Sequence, residues 1–414
     1  MTFYSLFSPS VAALRGQSFA FQTISENIVN STTPGFKRAD TRFQEVVNLA
    51  GAVTNPSQAA QQSYGGMYGQ NQYFLDAQGV IAATQRPLDV AINGQGFLVT
   101  NASADGSSEY QFTRAGQLGL QVVDGETYIV DASGQFVYGW PSDGNGGFTS
   151  GTGVTSAQAM RVDGGAFFFD AAATTTATFS AALPAQDAVG APARNAGIGV
   201  FDANSSEHVM TLSFTKTGTN TWDVTPSFAD GSTVTSPVPI AMTFDETGAL
   251  VSPTTDTIAV TFPDASTASV AFDFSGMTQY VDTFGVRYVD RDGNLQGELS
   301  SVAITGNGVV EGTFTNGMRQ DLYKLALATF RSPNMLATRG DTHYAQTAGS
   351  GDVTLHEADE TEMGSFIAGA VEESNVSMDT EFTKMVITQQ AYNSSAQVIR
   401  TVDEMMRVAS DLKR

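Results

Sequence analysis

Large apolar side chains recur every seven residues at both ends of the chain, and no other feature constrains its architecture as tightly. Near the start, Phe7, Leu14, Phe21 and Ile28 fall on one line, with Val11 and Ile24 on adjoining positions. Near the end, Met378, Met385, Tyr392, Ile399 and Met406 form a second line, with Phe382 one helical turn after Met378. Val398, Val402, Met405, Ala409 and Leu412 add a further stripe. A seven-residue period is that of a helix packed on another helix, so helices are expected over 1–29 and 378–412. Pro34-Gly35 stops the first, whereas no Gly or Pro interrupts the chain from Glu372 to Arg414. A helix that is apolar on more than one side expects neighbours on more than one side. The N-terminal stripe alone is too sparse to offset the backbone entropy of ordering it, so both ends are expected to order when neighbours cover them.

Between the ends the period changes to two. Arg86 to Thr100 reads as two strands around a hairpin turn at Asn93-Gly94, and Tyr110 to Tyr138 continues with turns at Asp124-Gly125 and Ser133-Gly134. From Pro141 to Phe274 the chain is rich in Thr, Ala and Gly. Hairpins are expected there around Thr217-Gly218-Thr219-Asn220 and Thr247-Gly248. Gln279 to Tyr344 resumes the earlier style. The expected fold is α+β and discontinuous: paired, coiled-coil-like terminal helices plus two β-rich domains nested by insertion. The corresponding segments are an axial helical domain (1–30 and 372–414), a connecting region (31–75 and 345–371), an inner β domain (76–144 and 276–344) and an outer β-rich domain (145–275).

Composition narrows the function. The formal charge is −22, and ten acids with no Lys or Arg lie between Asp341 and Glu381. Such a surface repels phosphate backbones, so nucleic acid is not an expected partner. There is no cysteine, hence no disulfide framework or thiol chemistry. Met1 to Ser18 lacks the basic and continuous apolar regions of a cleaved signal peptide. No stretch has the ~18 apolar residues of a membrane span. Asn93-Gly94-Gln95-Gly96 has neither a third Gly in register nor a P-loop Lys. Asp290-Arg291-Asp292-Gly293-Asn294 has its Gly too early for an EF-hand and reads as a β-turn, with a weak cation site as the lesser alternative. His208, His343 and His356 are far apart in sequence, His356-Glu357 lacks the second His of a zinc peptidase, and no G-x-S-x-G occurs. The acidic run 357–373 reads as a solvated face or a loop leading into the last helix, with pairing to Arg or Lys of neighbouring subunits as the lesser alternative. No enzyme, cofactor or metal is expected.

The terminal motifs carry a resemblance. Leu14, Phe21, Asn27-Ile28-Val29-Asn30 and Thr33-Pro34-Gly35-Phe36-Lys37 resemble the N-terminal signature of the flagellar rod/hook axial family. Val371-Glu372-Glu373-Ser374-Asn375-Val376, Gln389-Gln390-Ala391-Tyr392-Asn393 and Asp403-Glu404-Met405 are similar to its C-terminal signature. Ala12-Ala13 replaces the family's Ser-Gly pair, and Glu26 stands at a usual Asn position. Asp89 to Phe97 and Phe112-Thr113-Arg114-Ala115-Gly116 resemble segments shared by hook and distal rod members. The run 272–280, with Asp292 to Glu298, Thr315-Asn316-Gly317 and Leu325 to Phe330, is similar to the hook branch. The likeness is specific over roughly 1–140 and 272–414 and architectural between them.

This resemblance implies a non-catalytic subunit exported through the flagellar type III apparatus without a cleaved leader. Such subunits form a homopolymer under a hook cap protein, a curved hollow tube serving as universal joint between a flagellar rod protein and the hook–filament junction protein. The terminal helices would line its channel, outside the cell. A distal rod or junction member is the alternative, disfavoured respectively by the insertion at 141–271 and by the run at 272–280. A secreted β-rich adhesin would account for the Thr-rich middle but not for the paired terminal signatures.

Overall fold

In the computed structural model the described residues are 4–45, 67–144, 146–165, 167–204, 206–281, 283–358 and 364–411. The chain is mostly β, with one helix towards each end: α1 (Tyr4–Val29) and α2 (Met378–Asp411). It divides into two units, one of Met1–Asp163, Val302–Gly312 and Gln320–Arg414, the other of Gly164–Ser301 and Thr313–Arg319.

In the first unit α1 leads through a 3-10 turn (Asn30–Thr32) into the antiparallel hairpin β1 (Ala39–Glu45) and β2 (Met67–Tyr73). Alternate residues of this hairpin face α1. Thr41 Oγ1 donates to Thr23 Oγ1 at 3.0 Å, and Thr23 Oγ1 donates to Asn71 Oδ1 at 2.8 Å. At Gly69 a Cβ would stand 2.7 Å from the Phe19 ring, so glycine allows hairpin and helix to approach. Beyond the hairpin, an antiparallel sheet runs in the order Arg319–Leu325, Phe136–Pro141, Phe97–Asn101, Tyr110–Thr113, His343–Ala345 and Ala337–Thr338. Its core gathers Phe97, Phe112, Trp140, Tyr344 and Leu355. The turn Asp124-Gly125, both residues at positive φ, joins two paired strands, Leu118–Val123 and Glu126–Asp131.

Asn93-Gly94 is not a hairpin turn. Val90–Gly94 pairs with Gly364–Ala368, while Phe97–Asn101 pairs with Tyr110–Thr113, so the strands on either side of Gln95 diverge to separate partners. Local turn chemistry suggested adjacency, but long-range pairing overrides it.

The second unit is a β-sandwich. One antiparallel sheet orders Arg194–Phe201, Glu207–Gly218, Thr221–Phe228, Ile240–Phe244 and Leu250–Ser252. The other contains Thr233–Val234, Thr255–Thr261, Thr267–Asp273, Thr176–Pro184, Thr278–Val281 and Gly285–Arg291. Strict alternation buries Met210, Leu212, Phe214, Trp222 and Val224 against Phe179, Ile258, Val270 and Phe272. The expected turns at 217–220 and 247–248 each join neighbouring strands. Among the described residues no helix is long and apolar enough to cross a membrane.

Candidate functional site

The two chain ends converge at the foot of the helices, and their motif residues build that junction. As α1 ends, Asn30 Nδ2 donates to Glu26 O (3.1 Å) and Ser31 Oγ to Ile28 O (2.8 Å), satisfying carbonyls the helix leaves open. Thr33 Oγ1 then donates to Asn30 Oδ1. Pro34 follows, and Gly35 takes φ +74 with its N–H on Glu372 O at 2.7 Å. A Cβ at Gly35 would lie 2.4 Å from Ala115 N, so glycine is required both by conformation and by space. Phe36 is buried behind it.

Asn27 is buried and ties three elements. Its amide N–H donates to Ala39 O (2.7 Å) and to Glu381 Oε2 of α2 (3.0 Å), while its Oδ1 accepts from Ala39 N (3.0 Å). Glu381 also accepts from Lys384, which in turn pairs with Asp40. Burial disfavours the Lys384 charge, but hydrogen bonds to Asp40 and Glu381 outweigh it and raise its pKa. Asn375 works from the other end: its Oδ1 accepts from Arg38 N (2.7 Å) and its amide N–H donates to Ala77 O (2.9 Å). Ser374 Oγ accepts from Val376 N.

Behind these lies a buried ionic cluster. Glu372 Oε1 accepts from Lys37 Nζ (2.5 Å) and Gly79 N (2.6 Å), and Glu372 Oε2 from Arg114 Nη1 (3.1 Å). Arg114 also donates to Gly96 O and Gly94 O. That capture holds the diverging bend at Asn93–Gly96. Burial, and then the Arg114 charge, lowers the Lys37 pKa to about 8 against the pull of Glu372. Two cations thus share one carboxylate, and both acceptor oxygens are taken. The arrangement serves as a clamp between the N-terminal segment, the sheet and the C-terminal segment.

Lys37, Arg114 and Glu372 lie within the terminal and internal motifs, yet sequence reasoning assigned them no such role. The expected solvated face at 357–373 fails at Glu372, which is fully buried. Residues 359–363 lie outside the described residues. Asp292 is committed to the backbone N–H groups of Thr175 and Thr176 (2.8 and 3.0 Å). The histidines are structural: His208 contacts Asp202 and Asp230 in the second unit, His343 contacts buried Asp131 in the first, and His356 sits in the strand Thr354–His356.

Away from the junction the helices run antiparallel. Asn27 reaches Glu381, and Gln17, Phe21, Thr388 and Tyr392 line one groove of about 380 Å³. Among the heptad positions Ile24 is buried, whereas Leu14, Ile28, Met378, Met385, Ile399 and Met406 are half-buried. Phe21, Phe382 and Tyr392 are 41, 49 and 45% exposed. Val386, Ile387, Val398, Met405 and Val408 are exposed too. The side chain of Phe7 lies outside the described residues. Gln390 and Glu404 are exposed, and Asp403 pairs with Arg407 across one turn at 3.2 Å. The structure therefore joins Asn27, Gly35 and Asn375 at the junction and leaves Phe21, Phe382, Tyr392, Gln390, Asp403 and Glu404 on the free surface of the helices.

Two family models match the chain: the C-terminal part of flagellar basal body rod FlgEFG proteins over 367–412, and the D2 domain of the flagellar basal body protein FlaE over 168–294. The flagellar hook protein FlgE of Brucella suis is 30% identical over 419 residues, covering 100% of both chains. That of Rhizobium meliloti is 29% identical over 429 residues, again covering both in full. The Salmonella typhimurium protein of the same name is 28% identical, with 98% of this chain covered.

Proposed function

The chain belongs to the flagellar hook protein family, and we propose that its terminal helices form the assembly core of a hook while its β-rich regions form the outer shells. It is a structural subunit of the flagellar hook, in a family of structural proteins. Copies would polymerise through α1 and α2 into a curved hollow tube that works as a universal joint between rod and filament. Export through the flagellar type III apparatus would deliver it beyond the cell envelope. Rod, cap and junction proteins would meet the two ends of the polymer.

One observation carries this reading. Phe21, Phe382, Val386, Ile387, Tyr392, Val398, Met405 and Val408 stay exposed on helices whose opposite side and foot are already packed. An apolar surface of this kind marks an interaction site. The heptad residues Phe7, Leu14, Phe21, Ile24, Ile28, Met378, Phe382, Met385, Tyr392, Ile399 and Met406 would meet their counterparts in neighbouring copies. Asn27, Asn30, Pro34, Gly35, Phe36, Ser374 and Asn375 would set the angle at which the helices leave the β-rich part. Gln390, Asp403 and Glu404 would make polar contacts around the apolar ones.

Electron microscopy of the purified chain under polymerising conditions tests this. Tubes are expected from the natural sequence and none from Phe21→Ala or Tyr392→Ala. Tubes of normal abundance from both variants would move the assembly core elsewhere.

A further inference from the structure

The first unit carries a second open feature that the helix-based reading does not use. A groove of about 820 Å³ runs between the β1–β2 hairpin and the loop 330–338. Its hairpin wall is the face turned away from α1. Thr41 bonds Thr23 and Phe43 covers Gly16 on the helix side, so the alternating Arg42 and Gln44 face the other way, with Gln70 opposite Arg42. The facing wall is held in place by Asn334, whose Oδ1 accepts from the N–H groups of Leu75 (2.8 Å) and Asp76 (3.3 Å). It presents Arg331 and Met335, the latter 63% exposed.

The charge of this groove departs from that of the chain. Arg42 and Arg331 are exposed, and among the described residues neither forms an ion pair. Asp76 is the one carboxylate among the groove's described lining residues. Two guanidinium groups without an ion pair among the described residues, and several amide side chains, thus sit in a protein whose 42 acids outnumber its 20 bases. A guanidinium fork pairs with carboxylates in bidentate geometry. The segments 164–301 and 313–319 hold fifteen acids against five bases. Three of those acids, Asp170, Glu246 and Glu298, are exposed and have no side-chain partner in the described structure.

We propose that this groove is a contact between copies, in which Arg42 and Arg331 of one subunit receive carboxylates from the 164–301 unit of a second. The proposal rests on the hook reading, since it needs copies held side by side. It adds a polar, salt-sensitive contact outside the apolar helix contacts. Contacts of that kind favour register and on-rate and can exchange partners without exposing apolar surface.

The test uses the full chain with a photo-crosslinking amino acid at Met335, irradiated after polymerisation and mapped by mass spectrometry. Crosslinks to peptides from 164–301 of another copy are expected. The double substitution R42E/R331E is expected to raise the concentration needed for polymerisation about tenfold while leaving monomer melting unchanged. Polymers whose position 335 links to helical or first-unit peptides, or to no copy, would overturn the proposal and leave the hook reading standing. Unchanged polymerisation of R42E/R331E would do the same. Failure of the natural sequence to form any polymer would overturn both.

Discussion

The foot and the free surface of the helix pair are built from the same two helices and treat their side chains in opposite ways. At the foot the polar side chains that build the junction are partnered inside the chain: Asn27 with Ala39 and Glu381, Asn375 with Arg38 and Ala77, Glu372 with Lys37, Arg114 and Gly79. Farther along, Phe21, Tyr392, Val398 and Met405 keep 41, 45, 48 and 64% of their surface exposed. Buried polar networks are directional and intolerant of substitution, so they suit a junction that must hold one geometry. Apolar stripes are non-directional and are worth little until covered, so they suit contacts that form on assembly. The foot is finished within one chain, and the outer stripe is the surface we propose that neighbouring copies cover.

The largest expected break in this contrast is Glu372→Gln. It leaves Lys37 and Arg114 buried without a counter-charge, which costs about 3–5 kcal/mol. Calorimetry should show the first unit's melting transition collapsing while that of the 164–301 unit persists. Next comes pH. Lys37 has a pKa of about 8 when folded against an ordinary 10.5. Between those values the unfolded chain holds a proton the folded chain has released, so first-unit stability should rise across pH 8 to 10.5, by at most about 3 kcal/mol. Lys37→Met should flatten that rise. His208 gives the opposite sign. Burial works against its charge, but Asp230 and Asp202 more than compensate and raise its pKa. Its contribution to the second unit is therefore full below the ordinary 6.5 and fades as pH climbs through the raised value, a slope that His208→Gln should remove.

Asn27→Ala should destabilise the monomer by about 1–3 kcal/mol, because it orphans Ala39 N and strips Glu381 of a donor. Phe21→Ala and Tyr392→Ala, at side chains only partly covered in the groove of the helix pair, should cost the monomer about 1 kcal/mol or less yet remove polymers. Chemical denaturation of all three, read alongside sedimentation of polymer, checks whether foot and outer stripe separate in this way. The smallest effect is expected at Asp403→Asn. It deletes an exposed pair with Arg407 worth about 0.3–0.5 kcal/mol and should shift the thermal midpoint barely at all.

Legibility in the sequence followed the range of the interactions. The seven-residue period located both helices, because periodicity is local. The turns at 124–125, 217–220 and 247–248 were legible for the same reason. Asn93-Gly94 carried the same local signal and misled, since the partners of its two strands are Gly364–Ala368 and Tyr110–Thr113. The junction was half legible: Asn27, Gly35 and Asn375 were singled out through a family resemblance, without the bonds they make. The ionic cluster was not legible. Lys37, Arg114 and Glu372 come from three distant stretches, and nothing in the acidic run 357–373 marks Glu372 as the one that turns inward. Nor does a heptad stripe say how much of it one chain can cover; Ile24 is buried and Phe21, three residues earlier, is not.

Amide hydrogen exchange on the monomer and on the assembled polymer tests the central claim most directly. If the foot is complete within one chain and the outer stripe is not, amides of 35–40 should be protected in both states. Those of 392–408, where α2 keeps most side chains exposed, should exchange faster in the monomer and become protected on assembly. Strong protection of 392–408 in the monomer, unchanged by polymerisation, would contradict it.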